Sequence, residues 1–570
     1  MPGFQWITPE APPTDVVERL GVNDYLLAAV LWRRGWHEVT AVKDVLRPSY
    51  TDHLSDPFLF SNMRVAVDRV IKAIQSNERI VIHGDYDADG VTSTVLLTDA
   101  LRRLGGQVDW YVPDRFTEGY GLHLETMEKL AAAGTTLLMT VDCGTSNTVE
   151  VARARALGID VIILDHHQPP PERPDAIMIN PVVPTETYPF RGFSSAGVAF
   201  TFLRALLQVT DNGRTLGHEK PRGWEKWFLD LAAISTVADL MPLRGENRVI
   251  VRHGLAVLRQ TQRPGLRALL SRIGATGPAI TEQTIGFHIA PRINAAGRLR
   301  HASTAVKLLL TADPIEAQQL VDELEQINSD RQRLTSAATD EAWEAVRDLA
   351  DDPGHALFAP HWSPGVLGLV AGRLAEKVWK PVIVMTELDG QIVGSARSII
   401  GVNIMSIMSQ GKKYFARYGG HAGASGFTLN PGQREAFQAW FVETLRQTDL
   451  PKALRPLEID ADVRLSQINA SAVTALDQLA PYGVEHPRPV ILCRGVRCIE
   501  KSLVGADGQH LRIKAEQDGQ RMTIIGFRHG VNQLLVSPGE RFDAVVEPSW
   551  NTWNGRTDIQ LRLIDLQSAS

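Results

Sequence analysis

Four clusters of carboxylates and imidazoles lie between residues 83 and 239: His83-Gly-Asp-Tyr-Asp-Ala-Asp89, Asp142, Asp165-His166-His167 and Asp239. Oxygen donors mixed with imidazole suit Mn²⁺, Mg²⁺ or Zn²⁺. So many anionic groups share a small site only when cations neutralise them. A lone Asp after a strand is ordinarily a helix cap or a turn residue, and a His-His pair is commonly structural. Independent caps have no reason to follow successive elements with the same donor chemistry. The joint pattern therefore points to a two-metal phosphoesterase site.

The elements that must position these groups are legible too. Arg79–Ile82, Leu137–Val141 and Val161–Leu164 are short apolar runs that lead into the first three clusters. Parallel strands buried on both faces have this composition, and ligands of open α/β sheets gather at the carboxyl ends of strands. The three clusters should thus converge on one edge of one sheet. A helix is expected over 91–104, stopped by Gly105-Gly106. The fourth cluster differs, because 229–239 reads as helical and ends before Pro242.

Further organisation follows from period and composition. Residues 1–55 form an N-terminal helical segment, and 56–245 alternate strand and helix as a parallel α/β domain does. Residues 246–350 form a helical connector that ends in a long, breaker-poor helix, read as a rod linking two domains. A second α/β unit follows over 351–450, with strands at 356–359 and 381–385 and a helix at 366–378 between them. Over 455–570, short alternating strands flank Gln517-Asp-Gly-Gln520 and Asn554-Gly555, two hairpin turns of a small barrel.

Composition sets the outer limits. The 570 residues exceed one core, while 44% hydrophobic and 22% charged residues are ordinary for a soluble globular protein. A net charge of −6 argues against a generic nucleic-acid binder and confines any such site to a local basic channel. Three cysteines, Cys143, Cys493 and Cys498, exclude a disulfide scaffold and fit a reducing cytoplasm. With no leader and no apolar run of about 18 residues, neither secretion nor a membrane span is expected.

The first-half clusters, with the segment Ser235-Thr-Val-Ala-Asp239-Leu-Met-Pro-Leu243, resemble the DHH phosphoesterase superfamily. Three further segments are similar to its RecJ branch of exonucleases specific for single-stranded DNA. They are Pro291-Arg-Ile-Asn-Ala-Ala-Gly-Arg298, His361-Trp-Ser-Pro-Gly-Val-Leu-Gly368 and Gly419-Gly-His-Ala-Gly-Ala-Ser-Gly426. The resemblance runs from about Arg79 to the C-terminus. It implies an α/β fold in which a DHH domain and a DHH-associated domain are joined by a long helix and followed by an OB-like β-barrel. The activity it implies is metal-dependent 5′→3′ hydrolysis of single-stranded DNA to mononucleotides, in recombination and repair in a bacterial cytoplasm.

The resemblance also implies residue roles. Two divalent cations, Mn²⁺ or Mg²⁺, would be held by His83 and Asp87 on one side and by Asp89, His166 and Asp239 on the other, with Asp142 bridging. Asp142, His166 and His167 form the expected catalytic set, His167 contacting or protonating the phosphate. Asp165 either orients His166 or is structural, and Asp85 either joins the shell or lies outside it. In the second α/β unit, the Gly419–Gly426 segment, including Gly419, Gly420 and His421, offers backbone N–H groups for an anion nest, a flexible turn being the alternative. Arg292, Arg298, Ser395 and Arg397 would grip a backbone or 5′-terminal phosphate. His361 and Arg373 either line the same cleft or are structural. The barrel would bind single strands through charge and stacking, with Trp550 or Trp553 as platforms unless they pack its core.

Expected partners are single-stranded DNA with a 5′ end, a RecQ-type helicase and single-strand-binding protein, with the enzyme a monomer and no membrane involved. Ala480-Pro-Tyr-Gly-Val-Glu-His-Pro487 departs from the Phe-Gly-x-Gly-Asn-Pro usual in relatives, and an extra C-terminal domain of some relatives is expected to be absent. Two rival readings are a DHH phosphoesterase for short oligonucleotides or cyclic dinucleotides, and an inactive scaffold. All six candidate metal ligands are present, which disfavours the scaffold.

Overall fold

The structure, a computed structural model, describes residues 3–569 apart from 348, 350, 451–453, 506, 554 and 555. It divides into two compact units: Trp6–Ala290, Val306–Gln318 and Leu457–Ser570 in one, chiefly Pro291–Ala305 and Gln319–Pro456 in the other.

The first unit is organised by a five-stranded sheet. Its strands are β1 (Arg79–His83), β2 (Gln107–Tyr111), β3 (Thr135–Val141), β4 (Asp160–Leu164) and β5 (Ile177–Ile179), in spatial order β2-β1-β3-β4-β5. Every neighbouring pair is parallel. Ile80–Ile82, Leu137–Met139 and Val161–Leu164 are buried, as strands covered on both faces require. Helix α1 (Ala88–Arg103) follows β1 at once, because the Asp87 carboxylate caps it by accepting the N–H groups of Asp89 and Gly90. The chain leaves α1 through Gly105 at φ +92°. In the first turn of α1 a Cβ on Gly90 would lie 2.5 Å from the Asp85 backbone, so only glycine lets the β1–α1 loop close on the helix. Helices α2 (Ser195–Val209) and α3 (Leu229–Ala238) complete the part of this unit that matters for the site.

The same unit contains the barrel. Strands β11 (Ala461–Asp462), β12 (Ile491–Val504), β13 (His510–Gln517), β14 (Gln520–Gly526), β15 (Arg541–Trp553) and β16 (Arg556–Ser568) run in the order β11-β12-β13-β14-β16-β15. Pairing of β12 with β15 closes five of them into a ring, which leaves those strands no open edge. The predicted turn at Gln517–Gln520 joins β13 to β14, whereas Asn554-Gly555 lies outside the described residues. The barrel core is shared with the N-terminal helices: Val16, Leu26, Leu27, Leu31 and Val45 belong to one apolar cluster with Ile491, Ile513, Phe542 and Leu563. Arg248 stitches this junction, donating to the carbonyls of Val45, Leu479, Ala480 and Pro481 at 2.7–3.2 Å.

The second unit carries α4 (Ala290–Leu299, from Pro291 onward), most of the 34-residue helix α5 (Pro314–Arg347) and a second sheet. That sheet has the order β9-β10-β8-β7-β6, from β6 (His355–Phe358), β7 (Val382–Leu388), β8 (Gln391–Arg397), β9 (Phe415–His421) and β10 (Ala424–Leu429), with α6 (Leu367–Val378) packed on β7 and β8. The Gly419–Gly426 segment is a strand pair rather than a flexible turn. It is the tip of an antiparallel hairpin in which Gly419 pairs with Gly426 and His421 with Ala424, and its first strand is the edge of the sheet. Glycine is depleted in strands, and this run hides a strand pair behind the composition of a loop.

Candidate metal centre and phosphate-binding face

Each acidic cluster emerges where its element ends. His83 closes β1, Asp142 follows β3 directly, Asp165 follows β4 and Asp239 caps the C-terminus of α3. Asp142 takes φ +61°, a left-handed conformation uncommon for non-glycine residues. His166 stands at the centre: its Nε2 lies 3.3 Å from Asp142, 3.5 Å from Asp239 and 3.6 Å from Asp89. Donor atoms of Asp89, His166 and Asp239 fall within 4.8 Å of one another, as do those of Asp85, Asp87 and Asp142. The first trio is the expected grouping. In the second, Asp85 stands beside Asp87 and Asp142 where the resemblance puts His83.

The electrostatics suit a cation. Burial and the neighbouring Asp89 and Asp87 push the Asp239 carboxyl up to about 8. Asp142 is raised as well, by burial and by Asp89, Asp87, Asp85 and Asp239, and Asp85 by burial and Asp87. Burial lowers His83 to about 4, leaving a neutral imidazole. Its Nε2 and one oxygen of Asp85 are buried with no hydrogen-bond partner among the described residues. Orphaned donor atoms beside carboxylates held at such cost fit a divalent cation.

Removing the cations should therefore expose a pH trend. Asp239 and His167 have folded pKa values raised above their unfolded ones, so their contribution is present at low pH and lost as pH rises. His83, depressed instead, contributes nothing further above about 6.5. Between pH 6.5 and 8 the melting temperature in chelator is expected to fall, and saturating Mn²⁺ to raise it and flatten the slope. Differential scanning calorimetry across that window checks this.

Several groups that hold the cage come from distant sequence. Asp89 accepts the N–H of Ser195 at 2.8 Å and of Ala196 at 3.0 Å, so the N-terminus of α2 faces it. Ser235 Oγ donates to Asp89 at 2.5 Å, and Ser195 Oγ to Asp142 at 3.1 Å. Ser194-Ser195 ahead of an apolar run was the available sequence signal, since Ser194 is the α2 cap. Asp165 accepts from the backbone of His166 and His167 and, at 2.8 Å, pairs with the ring Nδ1 of His167; its other oxygen accepts from Thr145 N. It thus orients the ring of His167, while His166 receives only a backbone contact. Burial pulls His167 down, but Asp165, Asp239 and Asp89 overcome it and hold the imidazolium up to about 9. Tyr120, which sequence reasoning missed, donates to the Asp142 carbonyl at 3.1 Å and lies 3.3 Å from His167.

The second unit gathers part of the expected phosphate-binding set on one sheet face. Ser395 opposes Gly426, which opposes Gly419; Arg397 opposes Ala424, which opposes His421. Directly paired residues and those two apart share a face, so Ser395, Arg397, Gly419 and His421 do so, while Gly420 points to the other side. A Cβ on Gly419 or Gly426 would meet nothing within 4 Å, leaving a flat floor beside the Arg397 guanidinium. Gly368 of α6 abuts Arg397 and Ser395, and a Cβ on Gly365 would strike the Arg298 backbone. Arg292 is bidentate to Glu325 at 2.6 and 3.1 Å, and His361 is 2.8 Å from Glu341. Both pairings are with carboxylates of α5. Arg373 and Arg292 both face Arg331, whose guanidinium burial and these two cations destabilise.

A parallel sheet that presents an Asp/His cage at its strand ends, followed in sequence by a sheet with an Arg–Ser–Gly face, defines a DHH-type phosphoesterase. Family models match accordingly: the DHH family N-terminal domain over residues 79–236, the DHHA1 domain over 351–447 and the RecJ OB domain over 459–565. The chain is 37% identical over 549 residues to the single-stranded-DNA-specific exonuclease RecJ of Bacillus subtilis, covering 95% of this chain and 67% of that protein. It is 32% identical to its Dickeya dadantii counterpart, over 94% and 95% of the two chains. Thermus thermophilus RecJ with Mn²⁺ superposes with a TM-score of 0.84 at 30% identity, over 100% of this chain and 80% of that one. The same protein with Mg²⁺ gives 0.77 at 29%, over 100% and 79%. The chain belongs to the RecJ family of single-strand-specific exonucleases.

Proposed function

We propose that the protein is a divalent-cation-dependent exonuclease that degrades single-stranded DNA from the 5′ end, releasing mononucleotides. The observation that carries this reading is the cage in which His166 lies within 3.6 Å of three carboxylates, two of which, Asp142 and Asp239, are pushed towards protonation by burial and their neighbours. The names of the RecJ relatives and the Mn²⁺- and Mg²⁺-bound structures support it. We assign His83, Asp87, Asp89, Asp142, His166 and Asp239, with Asp85 added on its position, to two cations. When bound, such cations acidify water and stabilise charge on phosphoryl oxygens. His167, held by Asp165 and protonated at neutral pH, is placed to donate to a phosphate oxygen or the leaving group. Asp142 and Ser195 fix one another through their hydrogen bond, and the N-terminus of α2 holds Asp89 in place.

The 351–450 domain takes the phosphate grip, with Ser395, Arg397 and His421 over the glycine floor. Bidentate Arg–phosphate contact would seat the 5′-terminal group and so set polarity. The barrel supplies a single-strand surface that includes Trp550, which is 37% exposed. The reading extends to a bacterial cytoplasm, consistent with three buried free cysteines. It also extends to a RecQ-type helicase and single-strand-binding protein as partners, which pull-down with the purified proteins tests.

Strands labelled at either end, incubated with Mn²⁺, test the central reading. A 5′-label should leave as mononucleotide at once, whereas a 3′-to-5′ ladder or equal cutting of blunt duplex would overturn it. Arg397→Ala should slow cutting of 5′-phosphorylated strands about 10- to 100-fold, as losing a charge-assisted phosphate contact does. Mn²⁺ affinity, read by calorimetry, should stay unchanged.

A further inference from the structure

On and against the helix end that carries Asp239, two large apolar side chains stand in solvent. Leu240, the residue after Asp239, is 70% exposed and takes φ +55°. Phe287 is 75% exposed and sits in the middle of a π-helical turn, Ile285–Ile289. The turn packs on α3: Ile285 and Ile289 are fully buried, and a Cβ on Gly286 would lie 3.7 Å from Val237 Cγ1. Val237 is three residues before Leu240, and the Leu240 N–H bonds back to its carbonyl. Phe287 and Leu240 therefore flank the end of α3 that delivers Asp239.

Neither side chain has a packing role that explains it. Single exposed apolar residues are common, but this pair adjoins a ligand-bearing helix end. One member sits on a π-turn and the other in a left-handed backbone, two features that concentrate at functional sites. A nucleobase attached to a phosphodiester at the cage needs an apolar surface about one sugar away, and every base offers a π-face to an aromatic ring.

We propose that Phe287, edged by Leu240, is a stacking platform for a base of the strand whose phosphodiester occupies the cage. It is a binding residue rather than a proton donor or a metal ligand. It gives the site a preference for unpaired strands, because a base engaged in a duplex has both faces covered. This inference rests on the exonuclease reading above and deepens it.

The test compares 5′-phosphorylated oligonucleotides that carry one abasic residue at each of the first four positions with the intact strand. The wild-type enzyme should lose kcat/KM by roughly 5- to 100-fold at one or two of these positions. Phe287→Ala should lose the same factor on the intact strand and nothing further on the sensitive abasic ones. Phe287→Trp should restore the rate, and Leu240→Ala should show a smaller loss of the same pattern. The Mn²⁺-dependent rise in melting temperature should be unchanged in all three variants, separating base stacking from folding and from the cage. Wild-type rates for Phe287→Ala on every strand, or an equal further loss on abasic ones, would overturn the platform alone. Failure of the wild-type enzyme to cut any strand would instead overturn the exonuclease reading.

Discussion

Asp142→Asn should abolish hydrolysis, with a loss on the order of 10³-fold or more, equivalent to about 4 kcal/mol of barrier. The carboxylate lies 3.3 Å from His166, accepts from Ser195 and shares a ligand-sized cluster with Asp85 and Asp87. An amide keeps the shape and the Ser195 contact but loses the charge. Asparagine also tolerates the left-handed backbone at φ +61°, whereas Asp142→Ala would add about 1 kcal/mol of strain to the same loss of activity. The pair of variants therefore separates chemistry from folding. In chelator, Asp142→Asn should melt above the wild type, because it removes one of the mutually repelling acids; in Mn²⁺ it should melt below. Wild-type turnover of Asp142→Asn under saturating Mn²⁺ would remove this residue from the assigned set.

Arg248→Ala carries the largest expected effect on stability. Arg248 is 3% exposed, and its guanidinium donates to four carbonyls from two distant segments. Burial and the neighbouring Arg252 lower its pKa only to about 10, so it remains charged at neutral pH. Truncation strands those carbonyls without water, at a cost of about 3–5 kcal/mol. Chemical denaturation followed by tryptophan fluorescence should show an early transition, with Trp32 and Trp36 packed against the shared core. Arg248→Lys should recover only part of the loss, since an ammonium cannot span the same fork. A variant as stable as wild type would mean that the carbonyls find other donors. For the same reason, deleting the barrel from residue 455 onward should destabilise the N-terminal helices, so a truncated protein is a poor probe of DNA affinity.

The convergence of the carboxylates and imidazoles is legible in the sequence because its signal is local. Each candidate ligand follows a buried apolar run or ends a helix, and a parallel sheet turns that local order into convergence at one edge. The contacts that hold the cage were not legible, because Ser195 lies 106 residues from Asp89 and Ser235 lies 146 away. Asp165 followed the right strand, but which imidazole it would orient depended on a side-chain angle that spacing does not fix. The glycine-rich segment misled through composition: strand pairing with Ser395 and Arg397 outweighs the poor strand propensity of glycine. Residue type and the family resemblance together mark Arg292 and Arg298 as phosphate grips. Glu325, 33 residues away on α5, claims Arg292, and no sequence pattern announces that pairing.

The core shared by the N-terminal helices and the barrel has a consequence for synthesis. About 415 residues separate Leu46 from Ala461, the nearest members of that core on either side. At about 5–20 residues per second, the ribosome needs roughly 20–80 s to deliver the second half after the first has emerged. Through that interval Leu26, Leu27, Val30 and Leu31 have no barrel to cover them, although the parallel sheet can already close. The nascent chain thus carries a sticky amphipathic stub at its leading end for most of its translation. A message broken before the barrel codons would release a product with the cage residues in place and that stub still bare, a natural substrate for chaperones and proteases.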